Sequence, residues 1–315
     1  MKVNKISIIL PIHNGESTLQ NTFDCIKKIE KYIFELIIVN DGSSDKSEKI
    51  INNFSFSKPK IIIRHKNAKG LASSYNEAIN SSIGNIILII HQDILFKKQS
   101  FLRLIKPLEE TKTVATSHQV TLPYKTWNKF NFWQKLFFAR KLNLLEQGID
   151  GKFDAFRKYS LIKVGLFDSF HFHSAGEDGD IVYRLKQIGK IIQTKALIIH
   201  VHQNNQHFSI KEIFRKQAQY SQAQGVLLRL KHFSSISQIV KTFFREILVL
   251  LLFIPQINKL SLILILVYSI CYSFPIFIYN RFTFKFFLIP IINLALLLTS
   301  LYYSLVGFIT KKQTL

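Results

Sequence analysis

The groups best suited to chemistry in this 315-residue chain are carboxylates and histidines gathered at the ends of apolar runs. In HSAGEDGDIVYRLKQIGK (173–190), Glu177, Asp178 and Asp180 cluster where Ile181, Leu185 and Ile188 begin a helical spacing. One carboxylate there serves the N–H groups and dipole of a helix start; three close together behind glycine turns point to a site. A second set interrupts IILIIHQDILF (86–96), where His91, Gln92 and Asp93 stand between apolar residues. Asp93 offers the oxygen donor that a hard cation favours. His91 is a strand-end histidine that neighbouring backbone could satisfy, or a further contact for a ligand or a softer ion. A third set, KALIIHVHQNN (195–205), carries His200 and His202, which share one face if the run is a strand.

Elements must bring these sets together. Apolar, β-branched runs at 6–12, 36–39, 61–63 and 86–90 predict strands, and Leu19, Phe23 and Ile26, or Leu71, Tyr75, Ala78 and Ile79, repeat at helical spacing between them. Asp45 and Glu48 read as a capping box ahead of Ile50, Ile51 and Phe54. The alternation predicts an α/β domain whose mainly parallel sheet is covered by helices. In such sheets ligands bind beyond the carboxyl ends of the strands. There lie Pro11, His13, Asn14 and Glu16, then NDGSSD (40–45), then NAKGLASSYN (67–76), then HQD. NDGSSD alone is a turn with a helix cap, but four polar sets in register make a crevice.

The segments SIILPIHNG, ELIIVNDGSSDKS, NAKGLASSYNEAI and the strand ending HQD, in that order and spacing, resemble the nucleotide-sugar-binding half of family-2 glycosyltransferases of the GT-A fold. The resemblance covers 5–207. It implies that Pro11, His13 and Glu16 line a nucleotide pocket, that Asp41 faces the base, and that Lys69, Gly70, His91 and Gln92 lie near the donor. It implies that Asp93 is the last carboxylate of an Asp-x-Asp motif that binds Mg²⁺ or Mn²⁺ on the sugar diphosphate, with His91 in place of the first aspartate. Asp178 takes the family's general-base position, Glu177 the supporting one, and His202 the histidine that completes the metal site. GKFDAFRKYSLIKVGLFDS (151–169) resembles the acceptor-side segment, with Arg157 in a familiar place.

The rest of the chain has a different character. Lys and Arg exceed Asp and Glu by 42 to 20, a net charge of +22 that suits nucleic acid or an anionic membrane. From Ile247 onward acidic residues vanish, and 258–280 and 286–309 each hold an apolar stretch of about 20 residues, enough for a transmembrane helix rather than a buried core helix. The run 247–255 is too short to span and lies in the interface or enters partway. In YKTWNKFNFWQKLFFARK (124–141), Trp127, Phe130, Trp133 and Phe137 alternate with cations, which suits either a helix against headgroups or one packed on the sheet. No nucleic-acid module is recognisable, so lipid explains the charge. Pro11, His13 and Asn14 break the N-terminal apolar run, against a secretory signal and for a cytosolic catalytic domain. Lys311 and Lys312 agree with that topology; Arg281 and Lys285 pull against it. Cys25 and Cys271 form no disulfide framework.

The expected organisation is therefore a catalytic domain over 1–207, basic amphipathic connecting helices over 208–246, and a membrane anchor of two or three segments over 247–315. The expected function is inverting transfer of a sugar from a nucleotide-sugar donor to a membrane-associated acceptor, a lipid-linked glycan or a polyprenyl phosphate, at the cytosolic face of a membrane. The altered Asp-x-Asp also admits a non-catalytic nucleotide-binding scaffold. Oligomeric state is not legible in the sequence.

Overall fold

The computed structural model describes residues 5–201 and 208–315. Its elements in order are β1 (Ile6–Ile12), α1 (Leu19–Lys27), β2 (Glu35–Asp41), α2 (Ser47–Asn53), β3 (Lys60–His65), α3 (Leu71–Ser81), β4 (Ile86–Ile90), β5 (Ile94–Phe96) and α4 (Lys98–Ile105). There follow β6 (Thr113–Thr121), α5 (Tyr124–Trp127), α6 (Phe132–Phe138), β7 (Leu145–Gly148), β8 (Phe153–Arg157), α7 (Lys158–Lys163), α8 (Glu177–Lys186) and β9 (Lys190–His200). The last helices are α9 (Ile210–Arg229), α10 (Ile236–Thr242), α11 (Phe244–Leu251), α12 (Asn258–Cys271), α13 (Phe274–Tyr279) and α14 (Leu288–Thr310). Two compact units emerge: Met1–Leu122 with Leu145–Ser169 and Glu177–Gln203, and Pro123–Leu144 with Phe170–Gly176 and Asn204–Leu315.

The first unit is built on one sheet of order β3-β2-β1-β4-β8-β6-β9-β5, with β7 beside β6. Strand β1 is buried along its whole length because both faces are covered. Ile8, Leu10 and Ile12 pack with Leu19, Phe23 and Ile26 of α1 on one face. Ile9, Ile37 and Val39 pack with Tyr75, Ala78 and Ile79 of α3 on the other. The predicted parallel sheet is the β3-β2-β1-β4 half. Beyond it the sheet is mixed: β8 runs antiparallel to β4 and β6, whereas β9 is parallel to β6. The reversal matters for function, because pairing Ile90 with Phe153 sets the residues before β8 beside those after β4.

The capping box expected from Asp45 and Glu48 does not form. Helix α2 starts at Ser47 with no side-chain cap. Asp45 instead accepts Ser47 N at 2.9 Å and Glu16 N at 2.9 Å, while Glu48 turns to Asn40 and Arg64. Arg157 likewise departs from its acceptor-side expectation: its guanidinium donates to the carbonyls of Leu108, Glu110 and Thr113, which ties the end of β8 to the turn before β6.

In the second unit, α9 and α14 cross at close range. A Cβ on Gly225 would lie 2.0 Å from Ser304 O, and one on Gly307 would lie 2.0 Å from Gln222 O, so only glycine permits this approach. Polar groups fill the seam: Ser221 Oγ and Ser300 Oγ are 2.9 Å apart, and Gln217 donates to Ser300 Oγ at 3.2 Å. Two helical stretches, Asn258–Tyr279 and Phe284–Thr310, have mean hydropathies of 2.2 and 2.0 and are long and apolar enough to cross a membrane. Much of their apolar surface is uncovered, with 28% and 39% of their most apolar windows buried. Segment 124–141 is not one aromatic helix against headgroups: Trp127 and Phe130 are buried, and Asn131 ends the first turn and caps α6 by accepting Gln134 N at 2.9 Å.

Candidate active site

The loops after β1, β2 and β4 are laced into one surface of the first unit. Gln92 forms a two-way bond with the His13 backbone, accepting its N–H and donating to its carbonyl, each at 2.9 Å. Gly15 is required beneath it, since a Cβ there would stand 2.6 Å from Gln92 Oε1. His13 Nδ1 lies 2.7 Å from Asp41 O, and Glu16 reaches Lys46 N at 3.2 Å. Pro11 is buried within β1, whereas His13, Glu16 and Lys69 are exposed. Gln92 is thus a strut between loops, and the exposed side chains are those left to meet a ligand.

Asp41 anchors the loop after β3. Its carboxylate accepts Lys69 N at 2.7 Å and Gly70 N at 3.0 Å and sits 2.6 Å from His65 Nδ1. Gly70 takes φ +92°, the left-handed region that a side chain disfavours, so that both amides can turn toward the one carboxylate. Lys69 Nζ lies 3.3 Å from Glu77.

After β4 the three polar residues diverge. His91 Nε2 lies 2.8 Å from the buried Tyr75 hydroxyl, and burial holds its imidazole neutral, with a pKa of about 4. Asp93 Oδ2 lies 2.8 Å from His200 Nε2 at the end of β9. His202 lies outside the described residues, so His200 is the histidine that this geometry brings to Asp93. Cis ligands about 2.1 Å from one ion sit about 3 Å apart, so the pair matches a carboxylate–imidazole edge of a divalent site.

The sequence resemblance makes 151–169 an acceptor-side segment but singles out neither Asp150 nor the turn before β8. Backbone pairing carries them in: His91 N donates to Lys152 O at 2.9 Å. Gly151 has φ +75°, and a Cβ there would be 2.6 Å from Tyr75 Oη. Asp150 is ion-paired to Lys152. Against the desolvation of burial, Lys152 and His118 hold its carboxyl down at about 2. Behind it, His118 Nδ1 is 2.9 Å from Asp154 Oδ1, while Asp154 Oδ2 accepts the Asp150 and Gly151 amides. Ligand atoms of His118, Asp150 and Asp154 lie within 4.8 Å of one another, a donor set that suits a divalent cation. In the absence of an ion, these same bonds fix the 150–152 turn. The rule of looking beyond carboxyl ends failed here because β8 is antiparallel, so its amino end occupies that edge.

Glu177 and Asp178 open α8 and join the same cluster, since both act electrostatically on Tyr75. Burial, then the charge of Asp178, pushes Glu177 up to about 8. Burial, then Asp150, raises Asp178 to about 6. Neighbouring carboxyls so separated can divide the labour: one holds a proton at neutral pH while the other is ionised and basic. Asp180, the third, is spent on Arg184. The raised Glu177 value has a stability consequence. Between its unfolded value near 4.5 and about 8, the folded state binds a proton that the unfolded state lacks, so stability falls as pH rises through that window. Glu177→Gln is expected to remove that slope, up to about 1.4 kcal/mol per pH unit, and to melt higher than wild type at pH 8.5. Thermal unfolding of both proteins from pH 5 to 9 checks this; parallel curves would contradict a buried, proton-bearing Glu177.

A parallel half, a mixed second half and carboxylates gathered where the two meet define a GT-A fold. The chain belongs to glycosyl transferase family 2, whose family model matches residues 7–166, just over half of its length. It is similar to undecaprenyl-phosphate 4-deoxy-4-formamido-L-arabinose transferase of Proteus mirabilis, 30% identical over 116 residues, 35% of either chain. It is also similar to dolichol-phosphate mannosyltransferase of Pyrococcus furiosus, 23% identical over 133 residues, 42% of this chain and 38% of that one. The chain thus matches well under half the length of these curated relatives. Among solved structures, a mannosyltransferase of Pyrobaculum calidifontis in complex with GDP-Man and Mn²⁺ superposes with a TM-score of 0.63 over 96% of this chain and 87% of its own, at 14% identity, which shows a common fold.

Proposed function

We propose that this protein is an inverting glycosyltransferase that moves a sugar from a nucleotide-sugar to a membrane-borne acceptor, a polyprenyl phosphate or a lipid-linked glycan. The observation that carries the reading is that Asp178, perched near pH 6, and His91, at the β4 end two residues before Asp93, converge on Tyr75. Family membership and the likeness to transferases named for undecaprenyl and dolichol phosphate support it. The two apolar helices support a membrane anchor, and the absence of acidic residues after Glu246 fits a surface kept near anionic headgroups.

In this reading the exposed His13, Glu16 and Lys69 receive the nucleotide and Asp41 holds the loop that approaches its base. Asp93 and His200, and His202 on the sequence resemblance, would hold a divalent cation, which would neutralise charge on the departing diphosphate. Ionised Asp178 accepts the proton of an acceptor hydroxyl as its oxygen bonds to the anomeric carbon and the bond to the nucleoside diphosphate breaks. Glu177, protonated, keeps a second negative charge from opposing the first. A phosphate acceptor is already anionic and needs no such base, so dependence on Asp178 separates the two acceptor classes.

The test is transfer by purified full-length protein from a panel of labelled nucleotide-sugars to polyprenyl phosphate or to membrane extract, with Mn²⁺, Mg²⁺ or chelator. Transfer from at least one donor, lost with chelator, is expected. Nucleotide binding without transfer from any donor would replace the enzyme by the scaffold reading.

A further inference from the structure

The loop joining the two apolar stretches of the second unit frames a cavity of about 500 Å³. Lys135, Arg281, Asn128, Asn280, Tyr279 and Phe286 are among its walls, and none of its lining residues is acidic. A second cavity of about 440 Å³ shares Asn280 and Phe286 and is otherwise lined by apolar and aromatic side chains such as Phe277 and Phe282. One space is thus cationic and the adjoining one apolar.

Among the described residues Lys135 has no counter-ion. Its ammonium meets neutral oxygens, Asn280 Oδ1 at 2.9 Å and Asn128 Oδ1 at 3.4 Å, and faces the Trp127 ring at 5.2 Å. Burial lowers its pKa, and no carboxylate offsets that cost. Arg281 is exposed and, among the described residues, makes no hydrogen bond or ion pair. A third cation, Lys285, lies over the Phe132 and Trp133 rings at 5.5 and 5.6 Å. Solvated surface cations need no partner, but a half-buried ammonium beside a free guanidinium and an apolar slot is complementary to one kind of molecule. Asn280 and Arg281 also join two stretches long and apolar enough to cross a membrane, and cations at the ends of such stretches meet lipid headgroups.

We infer that this pair of cavities binds a phosphate-headed membrane lipid, the phosphate monoester between Lys135 and Arg281 and the first carbons of its chain in the aromatic slot. The site rests on the second unit alone and does not depend on the reaction assigned to the first.

Both tryptophans of the chain, Trp127 and Trp133, flank the site, so lipid bearing brominated chains should quench them on binding. The full-length protein is reconstituted in phosphatidylcholine vesicles, with brominated phosphatidic acid or brominated phosphatidylcholine added in increasing mole fraction. Each surface cation contributes about fivefold in affinity for an anionic lipid, so with two of them half-quenching is expected at roughly 25-fold less phosphatidic acid than phosphatidylcholine. Lys135→Gln with Arg281→Gln is expected to remove the preference. Arg281→Gln alone, which breaks no bond of the fold, is expected to reduce it about fivefold. Decyl phosphate should compete and inorganic phosphate at the same concentration should not. Equal quenching by the two lipids, an unchanged preference in both variants, or displacement by inorganic phosphate would each overturn the inference.

Discussion

Asp178→Asn is expected to reduce transfer to a hydroxyl acceptor by about 10³-fold or more while donor affinity changes less than about twofold, because the amide keeps the shape of the carboxylate and loses its basicity. In the wild type the same group should set the acid limb of kcat/KM. Its folded pKa is raised to about 6, chiefly by burial and then by Asp150. Below that pH it carries the proton it needs to accept, so activity should fall about tenfold per unit on further acidification. Asp150→Asn removes the neighbouring charge that helps hold Asp178 up, and the limb should move to lower pH. Rate profiles from pH 4.5 to 8 for the three proteins read this directly. Full turnover by Asp178→Asn with a hydroxyl acceptor would remove it from the role of base; full turnover with a phosphate acceptor only would identify the acceptor class instead.

Asp93→Asn is expected to cost about 10²- to 10³-fold in metal-stimulated transfer, since it exchanges an anionic oxygen donor for a neutral one while preserving a hydrogen-bond partner for His200. His200→Gln should cost less, about 10- to 100-fold, and raise the Mn²⁺ concentration for half-activation. The paired measurement is Mn²⁺ binding followed by electron paramagnetic resonance. Weakened binding in both variants is the expected result. If Asp93→Asn binds Mn²⁺ as wild type does, while His118→Gln or Asp154→Asn does not, the ion belongs to the cluster behind the 150–152 turn. The two sites differ in access: the side chains of Asp93 and His200 are 21% and 16% exposed, those of Asp154 and His118 0% and 1%.

Membership in one superfamily of folds does not by itself place these groups, and the sequence reached unequal depths in different parts of the chain. Strands β1 to β4 were legible because a strand covered on both faces must be a continuous apolar run, and the polar residues that end each run mark the ligand edge. The apolar stretches after Asn258 were legible for a similar reason, since few other folds need so many apolar residues in succession. Glu177 and Asp178 stood out by their density at a helix start.

What the sequence could not hold was anything decided by a partner far along the chain. Gln92 reads as a donor contact until the His13 backbone, 79 residues away, takes both of its polar atoms. Glu48 reads as a cap until Asn40 and Arg64 claim its carboxylate. Asp150 carries no local signal, and Gly151 and Lys152 were legible only as the start of a segment with an acceptor-side resemblance; they enter the site because β8 reverses against β4. Burial, and for Glu177 the neighbouring charge of Asp178, are what set Glu177 about two pH units above Asp178. Local spacing determines which elements form and which residues end them, because those preferences act within a few residues. Which end of a strand meets which loop, and so which carboxyl keeps its proton at neutral pH and which ionises, depends on strand direction and on desolvation, and both exist only once the tertiary fold has closed.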